Sequence, residues 1–167
     1  TMTIDISAVD DPPVVANPIP DITVDENAPD TTLNLSAVFT DVDNYDVNIL
    51  KSVKENTNPE LVSTDISDDI LTLAFQTGQS GEARITIQAS SNGKLIDETF
   101  KVTVSNINDR PTGGDSEITI VEDTVYSFKQ TDFVYNDLDG DSLAGIKITE
   151  LQSAGNLTYD GEKVTAD

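Results

Sequence analysis

The stretch TFKVTVSNINDRP, Thr99 to Pro111, has a counterpart in pattern at the start of this chain. At an offset of 98 residues, TMTIDISAVDDPP (Thr1–Pro13) sets Met2 against Phe100, Ile4 against Val102, Ile6 against Val104, Asp11 against Asp109 and Pro13 against Pro111. Apolar residues at alternate positions, followed by an acidic tail that ends in proline, read as a half-buried strand running into a linker. Self-similarity near a hundred residues marks a modular array, so the fold question becomes what one module is.

A second pair of stretches lies at an offset of 96 residues: ITVDEN (Ile22–Asn27) against ITIVED (Ile118–Asp123), with Glu26 on Glu122. Carried forward without gaps, this offset places Phe39 on Tyr135, Asp41 on Asp137 and Asp43 on Asp139. The organisation expected is therefore a closing strand and linker of a preceding repeat over 1–11, a complete repeat over 12–109, and the N-terminal part of a following repeat over 110–167.

Inside the complete repeat the apolar period is two. Strands are expected at DITV, TTLNL, VNILKSV, ELVSTDI, DILTLAF, EARITIQAS and LIDETFKVTVS, and seven short strands suffice for a two-sheet sandwich. Alternation turns Leu33, Leu35, Leu71, Leu73, Ile85, Ile87, Phe100, Val102 and Val104 inward, each buried aliphatic contributing on the order of 1.5–3 kcal/mol. Phe39, Phe75, Phe128 and Phe133 are expected in cores as well. Breaks fall at Asn58-Pro59, between Gly78 and Gly81, and at Asn92-Gly93, a strong hairpin signal. GNLTYDGEKVTA predicts a further hairpin around Asp160-Gly161.

Composition narrows the chemistry. Acidic residues number 31 against 9 basic ones, a formal charge of −22, which repels nucleic acid and anionic lipid and favours cations. Cysteine, histidine and tryptophan are absent, leaving oxygen ligands and removing disulfides, thiol or imidazole catalysis and His/Cys zinc sites. No apolar run approaches the roughly 18 residues of a membrane span, and any export signal is expected outside this chain. A glycosidase would need a carboxylate pair in a cleft that small sandwiches seldom have, so no enzyme is expected.

The linkers AVDDPP and NINDRP, the VDEN and IVED signatures, the DVD and DLDGD loops and their spacing resemble bacterial cadherin-like tandem repeats, which occur in large surface proteins and adhesins. The resemblance covers essentially the whole chain. It implies a Greek-key immunoglobulin/cadherin-like β-sandwich and Ca²⁺ at the junctions between repeats. Carried onto this sequence, Glu26, Asn108, Asp109, Asp137 and Asp139 would gather at the second junction, with Asp141 as an extra ligand. Asp10, Asp11, Asp41 and Asp43 would gather at the first. The chain departs from the animal pattern in the linkers, where Ala8 or Asn106 replaces the leading aspartate and Pro12 or Arg110 the closing asparagine. It departs again at Ser91, where an acid is usual; one or two ions per junction are expected rather than three.

Aspartates in a Asp-x-Asp loop suit calcium, which takes about six to eight oxygens at flexible angles. An EF-hand alignment of Asp137, Asp139 and Asp141 fails, because Ser142 stands where glycine is needed and Ile148 where glutamate is needed. The plain alternative is that these acids only keep the loops solvated, the reading adopted for Asp65, Asp68, Asp69 and Asp97 among others. The function expected is a calcium-stiffened stalk of an extracellular, secreted or cell-surface adhesin, whose partners are the neighbouring repeats of the same chain. Homophilic or head-to-tail self-association is a further expectation. The rival is a calcium-dependent carbohydrate-binding module contacting polysaccharide through Tyr45. Neither reading involves nucleic acid or membrane insertion.

Overall fold

A computed structural model of the protein describes residues 2–165, apart from Ile6 and Ala8. Its regular structure is β-strand, broken by single 3₁₀ turns at Asp46–Asn48 and Gln130–Asp132. The chain divides into two units, Thr1–Ile107 and Asn108–Asp167.

The strands of the first unit are β1 (Val14–Val15), β2 (Ile22–Asp25), β3 (Thr31–Asn34), β4 (Phe39–Thr40), β5 (Leu50–Asn56), β6 (Val62–Ser67), β7 (Ile70–Phe75), β8 (Gly81–Ser91) and β9 (Lys94–Ser105). One sheet has the order β2-β9-β8-β5 and the other β3-β7-β6, while β1 and β4 form a small ribbon. β2 runs parallel to β9, with Ile22 opposite Val102 and Val24 opposite Val104. The other neighbours are antiparallel. All seven strands expected from the alternation are present. The β1–β4 ribbon was not foreseen, since two-residue strands carry no readable period.

Alternation explains where the core sits. From Ala83 onward in β8 and from Phe100 to Val104 in β9 every second residue is buried, and Ala83, Ile85, Ile87, Phe100, Val102 and Val104 join Leu35, Phe39, Val62, Leu71 and Leu73 in one apolar cluster. Leu33 is half-buried against it. The opposite faces of β8 and β9 carry polar cross-strand pairs, Thr86 with Thr99 at 2.9 Å and Glu82 with Lys101 at 2.8 Å, which hold register without entering the core.

Two hairpins close the sheets. Asn92 (φ 46°) and Gly93 (φ 83°) form the two-residue turn between β8 and β9, both in the left-handed region that this connection needs. The β6–β7 turn uses the same conformation at Asp68 (φ 50°) and Asp69 (φ 62°), aspartates expected from the sequence to be solvated surface. Asp69 has a partner: the Lys51 ammonium, its side chain only 1% exposed, lies 3.0 Å from each of its carboxylate oxygens. Lys51 sits on β5 of one sheet and Asp69 between two strands of the other, so the pair ties the sheets together.

Removing one partner of a buried pair strands the other charge, at about 3–5 kcal/mol when both are fully buried. Asp69 is 34% exposed, so Asp69→Ala is expected to cost nearer 2 kcal/mol in urea denaturation. Lys51→Met, which removes the charge and keeps the stem, should cost distinctly less; equal losses would show that packing, not pairing, is at stake.

Met2–Asp5, expected in a closing strand, take no strand conformation, and Met2 and Ile4 are exposed. No described strand pairs with them; the rest of that expectation, at Ile6 and Ala8, lies outside the described residues.

The second unit holds β10 (Thr112–Gly114), β11 (Val134–Asn136), β12 (Thr158–Tyr159) and β13 (Glu162–Lys163). The β12–β13 hairpin falls where Asp160-Gly161 predicts it. The β10–β11 ribbon repeats β1–β4 in register: Val14↔Thr40 and Val15↔Phe39 in one, Thr112↔Asn136 and Gly113↔Tyr135 in the other. These are the residue pairs that the offsets of 98 and 96 make equivalent. Among its described residues none is fully buried. Phe128, expected in a core, is 56% exposed, stacked on Phe133 at 5.9 Å and met edge-on by Tyr126 at 5.4 Å. The described part of this unit has no counterpart of β8 and β9, the strands that cover the core of the first.

Candidate metal centre

Past β4 the chain folds back over one carboxylate. Phe39 is fully buried, and Asp41, two positions on and so on the same face, is drawn in with it to 7% exposure. Its Oδ1 accepts the N–H groups of Asp43 (2.9 Å) and Asn44 (3.0 Å) and the Asn44 side-chain amide (3.3 Å), the local bonding that makes aspartate a turn former. Asp46 closes the loop from the far side, its Oδ1 accepting the Asp41 N–H at 3.0 Å and the Thr40 hydroxyl at 3.0 Å. The other oxygen, Asp41 Oδ2, is buried and has no hydrogen-bond partner. A buried anionic oxygen without a donor is costly, and such atoms call for an ion, a water or a catalytic role.

The acidic linker docks onto this loop. The Asp11 N–H donates to Asp43 Oδ2 at 2.6 Å, and the Asn44 amide reaches Asp10 Oδ1 at 3.0 Å. Lys94, first residue of β9, donates to the Asp10 carbonyl and lies 3.4 Å from its Oδ2. The neighbouring amides of Asn44 and Asn92, then Lys94, hold the Asp10 carboxyl below the usual range. The nearby Ser91 hydroxyl, followed by the Asp43 and Asn44 donors, does the same for Asp41, although the hydroxyl makes no hydrogen bond to Oδ2. Ser91 is buried here, so the position where an acid was looked for does border the cluster, with a neutral oxygen in place of a charge.

The first junction's candidates, Asp10, Asp11, Asp41 and Asp43, are thus joined in one hydrogen-bonded assembly. They are linked pairwise through N–H donors; among the described residues no three acids already converge on one point.

The second set has the same wiring within its own unit. The Asp109 N–H donates to Asp139 Oδ2 at 2.5 Å, as Asp11 does to Asp43. Asp137 Oδ1 accepts the Asp139 N–H at 2.9 Å, as Asp41 does from Asp43, and also the Asp141 N–H at 3.2 Å. Asp141 takes part through its backbone, its carbonyl accepting the Tyr135 hydroxyl at 2.9 Å. Burial, then the charges of Asp137 and Asp141, push that hydroxyl's pKa upward. The Asn108 side chain turns back to the Asp109 carbonyl at 2.9 Å. Glu26 belongs to the first unit, where its buried side chain accepts the Ile107 N–H at 2.7 Å and ties the end of the β9 tail to the turn after β2.

Three residues of the first cluster escaped the sequence reading: Asn44, Asp46 and Lys94. The run DVDNYD held a signal for the first two, as polar residues three and five positions after Asp41 can close a loop on it. Lys94 had none, being 84 residues from Asp10.

The donor set is all oxygen and mostly aspartate, the chemistry of a hard cation such as calcium. Asp41 Oδ2 fits such an ion without giving up an existing bond. Asp10, Asp11 and Asp43 are the residues that would complete the site.

No family model matches the chain, and no curated protein matches it. Among solved structures it is similar to the endo-fucoidan hydrolases MfFcnA4 and MfFcnA9 of glycoside hydrolase family 107. The identities are 24% and 22% and the TM-scores 0.41 and 0.38, over 56% and 55% of this chain. The chain spans only 14% and 15% of their lengths, and likeness of this degree carries no weight for what it does. No helix among the described residues is long and apolar enough to cross a membrane.

Proposed function

We propose that the chain is a calcium-binding structural segment of an extracellular bacterial adhesin or surface protein, built from cadherin-like Greek-key sandwiches whose junctions are stiffened by Ca²⁺. The observation that carries this reading is the buried, partnerless Asp41 Oδ2 within an acidic assembly whose wiring recurs at Asp109, Asp137 and Asp139. Strand order supports the fold assignment. A Greek key of immunoglobulin type would use such an order, one sheet with β2 parallel to β9 and a second of β3, β7 and β6.

Two carboxylates about 4 Å apart repel by roughly 1 kcal/mol in water and about 4 kcal/mol at an effective dielectric near 20. Without an ion, clustered acids favour a loose joint; a divalent cation reverses the sign and favours a fixed one. Affinities of extracellular calcium modules, around 10⁻⁴ to 10⁻³ M, match millimolar calcium outside cells. The apolar core of the first unit is built without the acidic cluster, so the ion would chiefly stiffen the joint and add to a stability that burial already supplies.

Tyr45, 81% exposed beside the first cluster, favours a second reading, a calcium-dependent carbohydrate-binding module. Small-angle scattering with calcium and with chelator, run beside a glycan array, separates the two. The stalk reading expects a longer maximum dimension with calcium and no glycan bound. Unchanged dimensions, together with glycan binding lost on Tyr45→Ala, would favour the module instead.

A further inference from the structure

We propose that Lys94 is a tethered counter-ion at the first cluster, holding Asp10 where a free cation would otherwise act, so that a divalent ion enters on Asp41 and Asp43 against the repulsion of an ammonium. The inference rests on the calcium reading above and concerns what sets affinity there.

Lys94 directly follows the tight Asn92–Gly93 turn, whose two left-handed residues fix where β9 begins. From there its ammonium engages Asp10 twice, donating to the carbonyl and standing 3.4 Å from Oδ2. Asp10 is in turn bridged to Asp41 by the Asn44 amide, at 3.0 Å and 3.3 Å. The ammonium and the partnerless Asp41 oxygen therefore belong to one assembly. Among the described residues, Lys94 is the cation ion-paired with any of Asp10, Asp11, Asp41 and Asp43.

A lysine ammonium is a compact point charge on a flexible stem. With calcium scarce it offsets part of the mutual repulsion of the aspartates and keeps the linker on the loop. With calcium present it opposes the ion: a divalent charge roughly 6 Å from an ammonium is repelled enough, even in water, to weaken binding about tenfold. Lys94 would thus hold the first cluster at low affinity, suited to abundant extracellular calcium, and favour release of the ion when calcium falls, with the linker still docked.

The test is a calcium titration of the whole chain at low salt, followed through the amide resonances of Asp43 and Asn44, whose N–H groups bond Asp41. Lys94→Gln should tighten binding about tenfold, Lys94→Arg should leave it near wild type, and the difference should shrink at high salt, where screening is strong. Equal or weaker binding by Lys94→Gln would overturn the inference while leaving the calcium reading standing. If the resonances move in neither wild type nor Lys94→Gln, the calcium reading falls and this inference with it.

Discussion

Replacing Phe39 by alanine should remove on the order of 3–5 kcal/mol from the first unit, the range for deleting a buried aromatic side chain. Domains of this kind are stable by only about 5–15 kcal/mol, so the variant would lie near the edge of folding. The residue is 0% exposed, lies in the apolar core cluster and belongs to a two-residue strand. Packing, more than its few ladder hydrogen bonds, therefore holds that strand in place. Its position also couples core to site, because Asp41 follows two residues later on the same face. Urea denaturation should show a midpoint lowered by about 2 M, taking a slope between about 1 and 3 kcal/mol per molar, and the Asp43 and Asn44 amides should lose their protection from hydrogen exchange. A loss under 1 kcal/mol would mean that the ribbon stands without its anchor.

The second large effect is on ion-linked stability. At 10 mM calcium, a site with a dissociation constant near 10⁻⁴ M stabilises the folded unit by about 2.7 kcal/mol. For a unit of this size that raises the thermal midpoint by roughly 10–20 °C. Asp41→Asn together with Asp43→Asn should abolish the rise and change little in chelator. Asparagine keeps an oxygen in each place, so the Asp41 turn can still accept the Asp43 and Asn44 N–H groups and Asp43 can still accept from Asp11. A midpoint that still climbs by 10 °C with calcium in the double variant would place the ion elsewhere; wild type that does not respond would remove the site altogether.

The fold was legible because its signals are local and periodic. Alternation marked β8 and β9 residue by residue, and Asn92-Gly93 named its own turn. The repeat was legible at two offsets, 98 and 96, which the registers Val14↔Thr40 and Thr112↔Asn136 reproduce. What escaped was set by tertiary partners. Asp68 and Asp69 form a hairpin turn usually given to Asn-Gly, and Asp69 is matched to a lysine 18 residues upstream whose side chain is buried. Phe128 is exposed although its sequence surroundings fit a core, since burial depends on strands that must come from other parts of a fold.

The candidate site divides in the same way. Asp41, Asp43, Asp137 and Asp139 could be read from spacing and recurrence. Asp41 rather than Asp43 carries the buried oxygen because it directly follows β4, whereas Asp43, in the same phase with Phe39, lies further along the bend and is exposed. Asn44, Asp46 and Lys94 instead join the cluster through hydrogen bonds and an ion pair that depend on the folded loop. Glu26 was placed by analogy, and its observed bond, to the Ile107 N–H, is one that no spacing rule announces.

The central claim, that the first cluster holds a divalent ion on Asp41, is tested most directly by a diffraction map from crystals grown in 10 mM calcium. The account expects a strong peak about 2.3–2.6 Å from Asp41 Oδ2, with oxygens of Asp43 and the Asp10–Asp11 linker turned toward it. A well-ordered cluster with that oxygen still bare, or met only by water or a side-chain donor, would contradict it.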